Sequence, residues 1–153
     1  MVDSAGPQEA PFLASCWRAM LEELAALPGA TVPRGFVPDW HDRLTSFFAA
    51  GIAEGRQGWF VVRTVEGVPV ACAGALIAET SMIQVERIAT IGGVYVEPAY
   101  RRRGYARRLT EATLQWARDH GCTLARLTAG EPAVELYRSM GFTPGRELIL
   151  DLY

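Results

Sequence analysis

Apolar residues in the N-terminal third of the chain recur at the three- and four-residue steps of amphipathic helices. One such helix is predicted from Glu9 to Leu27 and stops at Pro28-Gly29. A second begins after Asp39, a favoured N-cap residue, and continues to Gly55. Three prolines between them predict an irregular loop. The apolar faces comprise Leu13, Cys16, Trp17, Met20 and Leu24 in the first helix, and Trp40, Leu44, Phe47 and Phe48 in the second.

The pattern then changes to the β-branched and apolar runs typical of strands. Residues 59–65 (WFVVRTV) and 69–78 (PVACAGALIA) flank Glu66-Gly67, a hairpin-type turn, so they are predicted to pair in an antiparallel way. A third strand over residues 90–96 ends before Glu97-Pro98, because a proline cannot continue the ladder.

Helices and strands alternate in the C-terminal part of the chain. An amphipathic helix begins near Gly104 and ends at His120-Gly121, and a strand over residues 122–129 follows. A short helix runs from Pro132 to Gly141, and residues 147–152 (ELILDL) are predicted as a last strand. The order α-α-β-β-β-α-β-α-β predicts one α/β (α+β) domain over residues 1–153, with a mixed sheet and helices on both faces.

Composition restricts the chemistry of this domain. All 15 basic residues are arginine, which excludes lysine Schiff bases and the lysine of P-loop nucleotide sites. The formal net charge of −2 means that any anion site must be local. Three isolated cysteines without metal-binding spacing predict free thiols, and no targeting or membrane-spanning segment is recognised, so we expect a soluble cytoplasmic protein without a metal.

Residues 100–109 (YRRRGYARRL), here called the arginine segment, contain five basic residues in ten positions. The segment connects a strand to a helix, and the first N–H groups of a helix together with its dipole form an anion site. Gly104 and Ala106 leave the backbone accessible, and arginines add charge-assisted bonds to phosphate oxygens. The local chemistry is that of a diphosphate site.

Three other interpretations of the arginine segment stay open at this point. It could be a solvated helix start paired with Glu97 and Glu111, although a diphosphate site is favoured. A nucleic-acid patch is disfavoured, because neither a helix-turn-helix nor an exposed aromatic surface accompanies it. A dinucleotide fold is disfavoured because the Gly-x-Gly-x-x-Gly spacing is missing.

Two motifs resemble those of a known family. The pattern Arg101-x-x-Gly104-x-Ala106, after VYVEP, is similar to the acyl-CoA motif Arg/Gln-x-x-Gly-x-Gly/Ala of the GNAT superfamily of N-acetyltransferases. Residues 133–142 (AVELYRSMGF) resemble the ending of the same family. The resemblance covers residues 59–152, and the two leading helices also fit. It implies a GNAT-like, mostly antiparallel sheet and transfer of an acetyl group from acetyl-CoA to a small amine or peptide acceptor.

The resemblance also implies site residues. The backbone of Val94, Tyr95 and Val96 would hold the pantetheine arm, and an N–H group near Val96 would stabilise the oxyanion. The pyrophosphate would lie on the segment formed by Arg101, Arg102, Arg103, Gly104, Tyr105, Ala106 and Arg107. Tyr137 would act as general acid towards the departing thiolate, because a neutral phenol can donate a proton. The amine would attack the thioester directly, without a covalent enzyme intermediate.

The sequence departs from the family pattern in three places. Residues 1–11 form a poor first strand, which is either short or missing; a missing strand would favour a partner chain on that edge, as in a homodimer. Gly130 replaces a common asparagine, and Thr90 stands where a carboxylate is frequent. Glu86 is the candidate base, directly or through water, against the interpretation of a solvated loop charge; Glu79 is a weaker candidate.

These departures keep a second function open. A CoA-binding or sensing module of the same fold, without catalysis, would retain the diphosphate site and lack the base. The cysteines need no catalytic role, and Cys72 and Cys122 are predicted to pack in the core. The aromatic residues Phe36, Trp40, Trp59 and Tyr95 fit either an acceptor pocket or core packing.

Overall fold

The computed structural model describes residues 1–30, 32, 35–79, 87–150 and 152. Nine helices and strands are formed within these ranges: β1 (Val2–Ser4), α1 (Ala10–Ala25), α2 (Trp40–Ala53), β2 (Gln57–Arg63), β3 (Pro69–Glu79), β4 (Arg87–Val96), α3 (Tyr105–Asp119), β5 (Cys122–Arg126) and α4 (Val134–Ser139). Short 3-10 turns precede α1, α3 and α4. In the parts of the chain described, no helix has the length and apolarity needed to cross a membrane.

The five strands form one sheet in the order β1-β2-β3-β4-β5. Neighbouring strands are antiparallel except β4 and β5, which run parallel. This arrangement confirms the mixed, mostly antiparallel sheet that the sequence predicted. The helices α1 and α2 cover one face of the sheet and α3 covers the other, so both faces of the central strands are buried.

Alternation along the strands divides the core between the two faces. Trp59, Val61 and Cys72 point towards α1 and α2, where they pack with Leu13, Cys16 and Phe48. Val62, Ala71 and Ala73 point towards α3 and pack with Leu109. The residues of β3 are small because helices pack against both of its faces.

The first strand is present and short, which is one of the two alternatives that the sequence left open, and it adds β1 to the element order. Val2–Ser4 pairs antiparallel with β2, with Val2 opposite Val62 and Ser4 opposite Phe60. It is only three residues long, so its apolar pattern is too short to predict it from sequence. The chain therefore fills this edge itself, and the argument for a partner chain there no longer applies. Homodimer formation stays a prediction.

The predicted last strand does not form over residues 147–150. Residues 147–150 are not in a strand, and Leu148 and Leu150 are 95% and 80% exposed. Their apolar side chains give them strand propensity, but a strand forms only when another backbone supplies its hydrogen bonds and its side chains pack. The preceding strand also ends earlier than predicted, at Arg126 instead of residue 129.

Substitution of Gly74 tests the close packing on β3. A Cβ atom at Gly74 would lie 2.3 Å from Cδ2 of Trp59, and Trp59 is only 1% exposed. We expect Gly74→Ala to lower the free energy of unfolding by about 1–3 kcal/mol through overpacking, measured by urea denaturation. Gly145→Ala is the matched control, because a Cβ there meets no atom within 4 Å. Equal stability of the two variants would contradict this account of the core.

Candidate active site

The parallel ladder between β4 and β5 ends half-way along β4. Its four pairs join Arg87–Thr90 to residues 122–126, and Nε of Arg126 donates to Oγ1 of Thr90 at the last pair, at 3.3 Å. Beyond Thr90, β4 continues beside β3 alone, whereas the chain after Arg126 turns away. The backbone of Ile91–Val96 therefore faces a cleft instead of another strand.

A bulge in β4 shapes the floor of this cleft. Gly93 has φ +60°, and the register between β3 and β4 shifts between Cys72 and Gly74. A Cβ at Gly93 would lie 2.6 Å from the ring of Trp59, and one at Gly92 would lie 3.0 Å from the ring of Trp17. The two glycines thus allow tryptophan rings to support the floor from below.

The turn between β4 and α3 ends in a helix N-terminus at the cleft. Arg102 has φ +64° and Gly104, the N-cap of α3, has φ +76°. The first bond of α3 runs from the N–H of Arg108 to the carbonyl of Gly104, so the N–H groups of residues 105–107 precede the helical ladder. A non-glycine residue at positive φ is strained, and such strain is concentrated at functional sites. This turn has the form of an anion site.

The cleft is a cavity of about 640 Å³ with four walls. One wall is β4 and another is the turn with the start of α3. The third is the segment from residue 127 to α4, and the fourth is the C-terminal half of α1. Nearly all site residues predicted from sequence line it: Val94, Tyr95, Val96, Arg101, Arg102, Gly104, Tyr105, Ala106, Arg107 and Tyr137.

Arg103 lies outside this cavity. Its Nη2 donates to the carbonyl of Ala99 at 3.4 Å, and its guanidinium lies over the ring of Tyr100 at 5.2 Å. It faces a smaller cleft of about 290 Å³ beside the turn between β2 and β3. Its contact with a pyrophosphate stays a prediction.

The Arg101 side chain binds the protein itself. Its Nε donates to the carbonyl of Val96 at 2.9 Å, and Nη2 donates to Oε1 of Glu23 at 2.6 Å. Its guanidinium also lies 5.6 Å from the centre of the Tyr95 ring. The hydrogen bond to Glu23 raises the pKa of Arg101 above its usual value. Arg101 therefore connects α1, β4 and the turn.

Arg107 makes a second connection, to α4. Its Nη2 donates to Oγ of Ser139 at 2.5 Å. Sequence reasoning did not identify Glu23 or Ser139, because their partners are 78 and 32 residues away and neither belongs to a motif. The position of Glu23 on the same helical face as Met20 and Leu27 was the one available signal, and many surface residues share such a position.

Tyr137 lies on α4 and is only 7% exposed. Its ring contacts the ring of Phe142 edge-on, with centroids 5.8 Å apart. The backbone returns to make this contact because Gly141 has φ +95° and the N–H of Phe142 donates to the carbonyl of Tyr137. Burial raises the pKa of Tyr137, so the phenol of this cavity-lining residue carries its proton at neutral pH.

The remaining candidates have different surroundings. Glu86 lies outside the described residues, and Glu79 is the last residue of β3. Among the described residues that line the cavity, Glu23 is the one with a carboxylate side chain. The described residues contain no cluster of three or more metal-ligand side chains.

Three of the four aromatic candidates pack away from the cavity. Trp59 is buried in the core and its Nε1 donates to Oε1 of Gln57 at 2.9 Å. Phe36 and Trp40 enclose the guanidinium of Arg18 away from the cavity, at 4.9 and 4.6 Å from their ring centres. Among the four aromatic candidates, Tyr95 lines the cavity.

The three cysteines are free thiols. Cys72 is fully buried, as the sequence predicted, and the adjacent Cys16 thiol raises its pKa. Cys122 is half-buried beside Ala89 and Ala117, at the edge of the core. A thiol with a raised pKa is a poor nucleophile at neutral pH, which agrees with a packing role for Cys72.

Comparison with known proteins identifies the family. Residues 17–142 match the model of the acetyltransferase (GNAT) family, and this range extends from α1 to the end of the AVELYRSMGF motif. This chain belongs to the GNAT family. Acetyl transfer is the class of reaction that this family match supports for the chain.

A curated relative matches part of the GNAT domain. Human N-acetyltransferase 8 is 33% identical over 90 residues, which are 57% of this chain and 39% of that protein. The chain thus matches well under two thirds of the length of this relative.

Solved structures share the GNAT fold over nearly the whole chain. A predicted acetyltransferase of Clostridium acetobutylicum, crystallised with acetyl-CoA, has a TM-score of 0.81 at 19% identity, with 99% of this chain and 96% of that chain covered. A GCN5-related N-acetyltransferase of Ralstonia eutropha JMP134 has a TM-score of 0.78 at 21% identity, with 99% and 97% covered. At these identities the likeness shows the fold.

Two departures from the GNAT pattern have a structural explanation. A Cβ at Gly130 would lie 2.7 Å from Cδ2 of Leu24 and 3.1 Å from Cδ1 of Leu27, so a side chain at this position would have to move these two leucine side chains. Thr90 accepts the hydrogen bond of Arg126 at the point where β4 and β5 separate. Gly130 lines the cavity, and Thr90 is the last residue of β4 that pairs with β5.

The raised pKa of Tyr137 predicts a pH dependence of stability. Above pH 10 the exposed phenol of the unfolded chain ionises, whereas the buried phenol resists ionisation, so its stabilising contribution is complete below pH 10 and is lost as pH rises through the folded-state pKa. Between pH 8.5 and 10.5 the wild type should lose up to about 0.8 kcal/mol more than Tyr137→Phe, measured by urea unfolding. Parallel losses in both proteins would contradict the burial of this phenol.

Proposed function

We propose that this GNAT protein is an N-acetyltransferase that moves the acetyl group of acetyl-CoA to a primary amine of a small molecule or peptide. The observation that carries the proposal is the single cavity in which the free edge of β4, the start of α3 and the buried Tyr137 meet. An extended pantetheine arm can pair with the free edge of β4, and a diphosphate can bind at the start of α3. A thioester can lie beside Tyr137. The names of the relatives reported above support an amine as the acceptor.

The donor fits the backbone of the cavity. Amide groups of a pantetheine arm can pair with the unpaired edge of β4 at Val94–Val96, in the way that an added strand would. The diphosphate would accept hydrogen bonds from the N–H groups at the start of α3, where the helix dipole favours negative charge. Arg102 lies in the same turn and lines the cavity. Unlike Arg101, it has no ion-pair partner among the described residues.

The proposed reaction is direct acyl transfer. The neutral amine attacks the thioester carbonyl carbon, an N–H group near Val96 stabilises the oxyanion, and the carbon–sulfur bond then breaks. The amine proton passes to a base or to water, and the thiolate of CoA takes the phenolic proton of Tyr137. Solvent then reprotonates Tyr137. No covalent enzyme intermediate and no metal is needed.

The identity of the base is a separate part of the proposal. Glu86 stays the candidate from sequence, acting directly or through water. Glu23 is ion-paired with Arg101, which favours a role in holding α1 against the turn over proton transfer. Deprotonation through ordered water is compatible with either assignment.

The alternative function is a CoA-binding or sensing module without catalysis. Thr90 and Gly130 motivate it, because these positions lack the carboxylate and the amide that are common in the family. Such a module would have the same acetyl-CoA site as the proposed enzyme and would differ only because it acetylates no amine. We also predict a cytoplasmic location, no nucleic-acid partner and formation of a homodimer.

Gly104→Glu tests the donor site. The variant places a carboxylate at the helix N-terminus where the diphosphate would lie, and it adds backbone strain at φ +76°. We expect the affinity for acetyl-CoA to fall at least about 100-fold, measured by titration calorimetry. Gly145→Glu is the control with the same change of charge at an exposed position with free space. Unchanged affinity of a folded Gly104→Glu protein would overturn the assignment of the site.

Tyr137→Phe separates the enzyme from the module. Removal of the acid should lower kcat about 100-fold on an accepted amine and leave the Kd of acetyl-CoA within about twofold. The measurement is chromatographic detection of CoA over a panel of amines that includes polyamines, amino sugars, amino acids and peptides. Acetyl-CoA binding without turnover of any amine by the wild type would favour the module. A folded Tyr137→Phe protein with wild-type kcat would remove Tyr137 from the mechanism.

A further inference from the structure

Arg107 belongs to two parts of the cavity at once. It is the third residue of α3, so its N–H group is one of those that precede the helical ladder at the anion site. Its side chain crosses to α4, where Nη2 donates to Oγ of Ser139. Ser139 in turn donates to the carbonyl of Leu136 at 2.6 Å. One residue thus connects the anion site to the helix that carries Tyr137.

The helix α4 depends on such contacts. It has six residues, fewer than two turns, and an isolated helix of this length is unstable in water. Leu136 and Ser139 flank Tyr137, so the connection holds both sides of the residue that would deliver the proton. Among the residues described, the bond between Arg107 and Ser139 is the side-chain hydrogen bond that joins α4 to another element.

The charge of Arg107 suits this position. The last carbonyl groups of a helix carry partial negative charge, and a cation beside them is stabilising. Ser139 is the residue at the end of α4, and its hydroxyl places the guanidinium there. The guanidinium of Arg107 is therefore engaged by α4, and its backbone N–H group is what it offers to a diphosphate.

We propose that Arg107 and Ser139 couple occupancy of the diphosphate site to the placement of the Tyr137 hydroxyl. A diphosphate bound at the start of α3 fixes the backbone of Arg107, the Arg107 side chain fixes Ser139, and Ser139 fixes α4 with Tyr137. Both are positioning residues, because neither touches the reacting atoms. This inference rests on the proposed function and adds a role for two residues that the acyl-transfer step itself does not need.

Ser139→Ala tests the coupling with the smallest change. The variant removes the connection and leaves the Arg107 charge and its N–H group in place. We expect the Kd of acetyl-CoA to stay within about twofold and kcat to fall about tenfold, because a displaced acid loses efficiency steeply. Ser139→Thr, which keeps the hydroxyl, should retain most of the activity. Ser15→Ala is the matched control, since the exposed Ser15 hydroxyl donates only to the carbonyl of Pro11 in its own helix.

A double-mutant cycle identifies the residue through which Ser139 acts. In the Tyr137→Phe background, Ser139→Ala should lower kcat by less than about twofold, because the acid that it positions is already gone. Multiplicative effects of the two substitutions would overturn the proposal. A wild-type kcat in Ser139→Ala, or a loss confined to the Kd of acetyl-CoA, would overturn it as well.

Hydrogen exchange provides a readout that needs no turnover. In the wild type, CoA binding should slow amide exchange at residues 105–108 and also at residues 134–140. In Ser139→Ala the protection of residues 105–108 should persist and that of residues 134–140 should fall at least about threefold. Absence of CoA binding by the wild type would defeat the proposed function itself. CoA binding with equal protection of α4 in both proteins would defeat the coupling alone.

Discussion

The site depends on the early end of the hydrogen-bond ladder between β4 and β5. Where two parallel strands pair, each supplies hydrogen-bond partners to the facing edge of the other. Here the ladder stops at Thr90 and Arg126, while β4 continues for six more residues. Arg101 donates to the carbonyl of Val96 and Cys72 to that of Gly93, and the backbone groups that stay unpaired along this edge need partners from solvent or a ligand. The cavity, its backbone-rich wall and the position of α4 all follow from this separation.

Three side-chain arrangements keep the separated parts at a fixed distance. Trp17 and Trp59 support the glycines of β4 from below. Arg101 joins α1 to the turn through Glu23, and Arg107 joins α3 to α4 through Ser139. The arginine segment therefore acts less as a field of positive charge than its composition suggested. The guanidinium groups of Arg101 and Arg107 bind other walls of the cavity, and the backbone of the turn faces the cavity.

The sequence predicted the parts of the fold whose signals are local. The two leading helices, the hairpin at Glu66-Gly67 and the helix after Gly104 all have their own periodicity and turn residues. It left open whether β1 is short or missing, because a strand of three residues shows no pattern and is defined by its pairing with β2. It failed for residues 147–150, where strand propensity has no partner strand. The motif residues were placed in one cavity, except Arg103, whereas Glu23 and Ser139 needed the three-dimensional structure because nothing local marks a contact over such distances.

The tryptophan rings beneath the cavity floor have an optical consequence. Two of the four indoles of the chain lie against Gly92 and Gly93, which line the cavity, and Trp17 contacts Trp59 at a ring distance of 6.1 Å. Indole emission responds to the polarity and motion of its immediate surroundings, and here those surroundings are the surface on which a ligand would lie. The packing that shapes the cavity therefore places two intrinsic fluorophores directly beneath the surface that a bound ligand would contact.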